Sequence, residues 1–286
     1  VIDKTTFRIL FLKQVVVLGI RRLSTSCNNS SIKASLIIKK QHDMKELDEH
    51  AHRDKVGKTK TLIVFIVTIV LGYLLFIIPD VFFGVTKMNG GKIGINLLFM
   101  GLFQLISIMV LLYASLKILK KKFSAIGLRF ENFGKDILLG LLSGGLWTFL
   151  QFVFIIPNTG GINRMDIKGM LEMYDGSLVG TLSFVALGVI GGGITEELFN
   201  RGYFINVLKE TFKNPKTGLW FSAVLSILIF ALGHMPRTAL DWFDILVPTI
   251  LYTVLFIWTK RLTASMVAHG VYNMSAIILT YYMYFL

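Results

Sequence analysis

The chain has 286 residues, of which 54% are hydrophobic and 16% charged, with a mean hydropathy of +0.66. That balance excludes an ordinary soluble globule, in which about 25% of residues carry charge. The formal charge of +13 lies mostly on an N-terminal arm and between apolar runs, which argues for membrane orientation rather than nucleic-acid binding. Cys27 is the single cysteine, so an internal disulfide framework and a multi-cysteine metal cage are both excluded.

Residues 1–60 hold most of the polar tracts and read as a basic arm of uncertain role. Phe7 to Ile20 is apolar, but Arg8 and Lys13 interrupt it, it is short for a membrane span, and Arg21-Arg22 follow it rather than precede it. A cleaved signal or twin-arginine signal is therefore not expected. Ser24-Thr25-Ser26-Cys27 lacks the aliphatic residue of a lipoprotein box.

From Thr61 onward, apolar runs long enough to cross a hydrocarbon core of about 30 Å alternate with short charged loops. The spans are read at Thr61 to Pro79, Ile95 to Leu116, Ile137 to Ile156, Leu178 to Leu208, Gly218 to His234, Ile245 to Trp258 and Leu262 to Leu286. The fold class is thus all-α, a polytopic membrane protein of about seven transmembrane helices, with room for an eighth in the N-terminal apolar patch. Residues 61–286 form one domain.

Basic residues set its direction. Lys117, Lys120, Lys121, Lys122, Arg129 and Lys135 share a side with Lys209, Lys213, Lys216, Lys260 and Arg261, and the excess of positive charge assigns that side and the N-terminus to the cytoplasm.

The fourth run contains GGGITEELFNRG, Gly191 to Gly202, which sets two glutamates and an arginine inside an apolar context. An ionisable group at such depth needs a partner or a wet cavity. Glu197 and Arg201 are four residues apart, on one helix face, and supply a structural ion pair. Glu196 turns away, faces Asn200 at the same spacing, and stays available. The run is longer than one span requires, and Gly191-Gly192-Gly193 is the expected place for a bend.

His234 ends the fifth run, and His269 lies four residues before Asn273 in the seventh. Counting about 1.5 Å per residue from the cytoplasmic ends puts Glu196 at ~21 Å, His234 at ~25 Å, His269 at ~12 Å and Asn273 at ~18 Å. These groups can meet at one level, and they are the parts of a hydrolytic site. Glu196 would take a proton from water with His234 orienting it, while His269 and Asn273 would stabilise an oxyanion.

At these residues the chain resembles the CPBP intramembrane proteases, which group CAAX prenyl endopeptidases with bacteriocin-processing and Abi-like membrane proteins. The family's EExxxR, FxxxH and HxxxN/D stand here as Glu196-Glu197-Leu198-Phe199-Asn200-Arg201, Phe230-Ala231-Leu232-Gly233-His234 and His269-Gly270-Val271-Tyr272-Asn273. Phe199-Asn200-Arg201-Gly202 looks like the family's usual phenylalanine-arginine-glycine run with one substitution in register. The resemblance implies an intramembrane endopeptidase that acts on a membrane-embedded or lipidated peptide or protein, in the plasma membrane of a prokaryote. It also assigns Glu196 and His234 to water activation, His269 and Asn273 to the oxyanion, and Glu197 and Arg201 to support.

Metal is a separate matter. Glu196, His234 and His269 are a possible zinc ligand set and the family is often described as metalloproteases, but the chain has no HExxH, and ligation would leave fewer groups to act as base. A metal-free mechanism is therefore favoured, with divalent zinc the alternative. Gly140-Leu141-Leu142-Ser143-Gly144 is one residue too long for a rhomboid GxSG and reads instead as helix packing through small residues. The competing function is non-catalytic: a membrane immunity or transport protein that keeps the same polar cluster.

Overall fold

The structure, a computed structural model, describes residues 56–286; the expectations for the arm up to residue 55 lie outside the described residues. Residues 58–286 form one compact unit of helices with no strand among the described residues. In chain order these are α1 (Lys58–Thr86), α2 (Ile95–Ile118), α3 (Phe133–Asn158), the short α4 (Met165–Leu171), α5 (Leu178–Thr211), α6 (Pro215–Gly233), α7 (Ala239–Thr259) and α8 (Thr263–Thr280, continued by a π-type turn Tyr281–Phe285). Six of them, α1, α2, α3, α5, α6 and α7, are long and apolar enough to cross a membrane. The protein is an integral multi-pass membrane protein.

Two boundaries differ most from the sequence reading, and both helices contain a proline. α1 does not stop at Pro79 but runs on to Thr86 with that proline buried inside it. α7 begins at Ala239, before the expected Ile245, and contains Pro248. Helix-breaking residues are tolerated where neighbouring helices satisfy the freed carbonyl. The early start of α7 is also capped. Thr238 accepts from the Asp241 backbone N–H, and Asp241 accepts in return from the backbone N–H of Thr238.

α8 is long enough to span, but the polar residues it carries make it less apolar than the other six. It lies inside the bundle, against α3, α5 and α7. Small residues allow that approach: a Cβ on Gly140 would stand 2.7 Å from the Ala264 carbonyl oxygen, and one on Gly144 would stand 2.4 Å from that of Ala268. The Gly140 to Gly144 pattern is therefore a packing seam, as its spacing predicts. Ion pairs fasten both ends of the bundle. Arg261 grips Asp136 with two nitrogens, Nε at 2.5 Å and Nη2 at 2.7 Å, at the start of α3. At the other end Arg164 pairs with Asp166 and Asp244, and Gln151 Nε2 donates to Asp244 at 2.7 Å.

Candidate functional site

The middle of α5, Leu187–Ile205, is wound as a π-type helix, and the Thr195 hydroxyl reaches back five residues to the Ile190 carbonyl at 2.7 Å. Such winding occurs mostly as single turns and often at functional positions. The three glycines do not break it. Each clears a different neighbour: a Cβ on Gly191 would meet Gln104 Oε1 at 2.5 Å, one on Gly192 would meet Asn273 Nδ2 at 2.4 Å, and one on Gly193 would meet the Gly270 Cα at 2.7 Å. The expected bend is thus a contact surface, where α5 and α8 come close enough for their backbones to touch.

One turn beyond the glycines sits the ion pair. Arg201 Nη1 lies 2.9 Å from Glu197 Oε1, and both side chains are almost completely buried, at 1% and 0% exposure. The arginine is held from outside the helix too: its guanidinium lies 4.6 Å from the ring centre of Phe230 on α6 and 5.8 Å from that of Tyr252 on α7, and Nη2 reaches the Thr249 carbonyl at 3.4 Å. Phe230 is the phenylalanine of the FxxxH pattern. Its ring also packs on His234 and edge-on against His269, which gives that motif position a physical purpose.

Glu197 has a second partner that spacing alone could not reveal. His269 Nδ1 lies 2.9 Å from the same Oε1, and the imidazole stacks on Tyr252 with centres 4.7 Å apart. A histidine that donates Nδ1–H to a buried carboxylate has its tautomer and ring direction fixed. Its Nε2 then points to Gly192, 3.6 Å from where a Cβ would sit, beside the Asn273 amide. Asn273 Nδ2 donates to the Gly188 carbonyl at 2.9 Å, which orients the amide from the helix that it faces.

Glu196 lies one turn from Gly192 on α5 and is half-buried. Among the described residues its carboxylate makes no hydrogen bond, in contrast to Glu197. Asn200 does not bind that carboxylate, as its spacing suggested: its Nδ2 donates to the Glu196 backbone carbonyl at 3.0 Å, and its Oδ1 accepts from Tyr73 on α1 at 2.8 Å. His234 caps the end of α6, exposed, with Nδ1 2.9 Å from the Phe230 carbonyl oxygen. The structure therefore gathers Glu197, Arg201, His269 and Asn273 directly, sets Glu196 beside them, and leaves His234 at the edge through Phe230. Tyr73, Tyr252 and Gly192 are site residues outside the expected set; only the last had a sequence signal, as the middle of three glycines. Among the described residues no three His, Cys, Asp or Glu side chains are grouped to hold a metal, so Glu196, His234 and His269 do not form a ligand set in this arrangement.

Residues 178–275, which contain all three motifs, match the family described as type II CAAX prenyl endopeptidase Rce1-like. The likeness to that family lies in the stretch that bears the three motifs. A curated relative, UPF0177 protein YbdI of Lactococcus lactis subsp. lactis (strain IL1403), is 29% identical over 150 residues, which is 50% of this chain and 71% of that protein. No solved structure matches the chain. The family match runs from the start of α5 into α8 and so carries the helices that build the polar centre. A CAAX-type protease is the activity that the matched family's description names.

Proposed function

We propose that the protein is an intramembrane endopeptidase that hydrolyses a peptide bond of a membrane-embedded or lipidated protein without a resident metal. One observation carries this reading: His269 Nε2 and Asn273 Nδ2 converge over Gly192, one turn from an unengaged carboxylate at Glu196. A carbonyl oxygen seated over Gly192 would meet two N–H donors while its carbon faced Glu196.

The steps follow from that arrangement. Glu196 removes a proton from water, with His234 orienting it, and the resulting hydroxide adds to the carbonyl carbon. The oxyanion accepts from His269 Nε2–H and Asn273 Nδ2–H, donors fixed before the reaction begins. For both nitrogens to donate, the ring must carry both protons, which is a requirement of this proposal, with Glu197 as the acceptor of Nδ1–H. On collapse the C–N bond breaks, and the leaving nitrogen takes the proton held by Glu196.

Cleavage of a membrane-embedded reporter peptide by purified protein tests the reading, with metal content measured on the same samples. Asn273→Ala is expected to lower kcat by about 10²–10³ with KM little changed. Gly192→Ala should do the same because its methyl would displace the Asn273 amide. Unchanged turnover in both variants would refute the oxyanion assignment. Stoichiometric zinc lost with His234 or His269 would replace it with a metal-dependent mechanism, and no cleavage by the wild type would favour the immunity or transport role.

Orientation is proposed from the same charges that the sequence presents: the turn with Lys121, which pairs with Glu210 at the end of α5, faces the cytoplasm. A cysteine at Lys121 should then be labelled only after the membrane is permeabilised. Labelling in intact cells would reverse the topology.

A further inference from the structure

Outside the three motifs, the Tyr73 side chain bonds to α5, which bears Glu196, and approaches the end of α6, which bears His234. Tyr73, half-buried on α1, donates its hydroxyl to Asn200 Oδ1 at 2.8 Å, and Asn200 Nδ2 donates in turn to the Glu196 carbonyl at 3.0 Å. The Asn200 carbonyl also accepts from Ser226 of α6 at 2.8 Å, so this asparagine is held by α1 and α6 together. The Tyr73 ring packs edge-on against Phe199, 5.5 Å between centres, and its Cε1 lies 3.9 Å from where a Cβ on Gly233 would stand, next to His234. Phe199 itself occupies the notch at Gly72, where a Cβ would come within 2.2 Å of its ring.

A phenol is suited to this place. Its ring fills space between apolar helices while its single O–H secures a carboxamide, whose orientation would otherwise be free to flip. Asn200 is the position at which this chain departs from the family's phenylalanine-arginine-glycine run, and the polar residue there has a polar partner. We propose that Tyr73 is a positioning residue: through Asn200 it fixes the turn of α5 that carries Glu196 relative to the end of α6 that carries His234. The proposal rests on the proteolytic reading of the site for its kinetic consequence, but not for its geometric one.

Tyr73→Phe removes only the hydroxyl. The reporter-cleavage assay should show kcat reduced about tenfold with KM unchanged, since a displaced base loses transition-state stabilisation rather than substrate binding. Thermal stability should change little. Combined with Asn200→Leu, the loss should be less than the product of the two single effects, because both act through one contact. Spin labels at exposed Leu74 of α1 and Leu232 of α6, in a Cys27→Ser background, should give one narrow distance that broadens in Tyr73→Phe. With an active wild type, an unchanged kcat, or a fall matched by an equal loss of folded protein, overturns the proposal. If the wild type cleaves no peptide, the function reading fails and the labels alone decide: a broadened distance upholds the positioning role, and an unchanged one removes it.

Discussion

Glu196→Gln is expected to give a folded protein whose peptide hydrolysis is reduced by about 10²–10⁴, the range typical of removing a positioned base. The amide keeps the size of the carboxyl group, and the carboxylate makes no hydrogen bond among the described residues that the change would break. Expression, thermal melting and reporter cleavage on the same preparation check it. Glu197→Gln supplies the contrast. That carboxylate serves Arg201 and His269 at once, so its loss should reduce folded yield as well as turnover. Full activity in Glu196→Gln would remove the glutamate from the chemistry, and a collapse of stability in that variant would make it structural.

Arg201→Ala should cost about 3–5 kcal/mol of stability, the scale of leaving one buried charge without its partner. The remaining carboxylate is fully enclosed, Phe230 and Tyr252 lose the cation between them, and Glu197 Oε2 already has no hydrogen-bond partner among the described residues. Chemical denaturation in detergent measures the loss. Replacing both members, Glu197→Leu with Arg201→Met, is expected to recover much of it because an apolar pair of similar size needs no solvation. Activity should stay low in the double variant, since His269 has then lost the acceptor of its Nδ1–H. Normal stability in Arg201→Ala with turnover alone abolished would move the arginine from the scaffold into the chemistry.

The spans were legible because hydrocarbon thickness imposes a run length that shows in the sequence. The Glu197–Arg201 pair was legible for a similar reason, as helical periodicity relates residues four apart without any knowledge of tertiary contacts. His269 on Glu197 was not, because the two stand on different helices and only packing sets which carboxylate a histidine meets. The glycine triplet shows the limit from the other direction. Flexibility and close approach leave the same sequence mark, and only the neighbours at Gln104, Asn273 and Gly270 separate them. Tyr73 carried no signal at all: an aromatic residue in an apolar run is ordinary until an acceptor is found opposite its hydroxyl.

α8 bears on how the protein is made. With His269, Asn273, Tyr272 and several hydroxyl residues, it has a composition that partitions poorly into lipid as a lone segment. Its shelter is the groove that α3 and α5 form only after they have been threaded into the bilayer. α8 thus depends on helices that precede it in the chain for its place in the bilayer, and it brings two of the polar groups with it. Until α8 is inserted Glu196 stands without His269 and Asn273, so the polar centre is assembled only when α8 docks against α5.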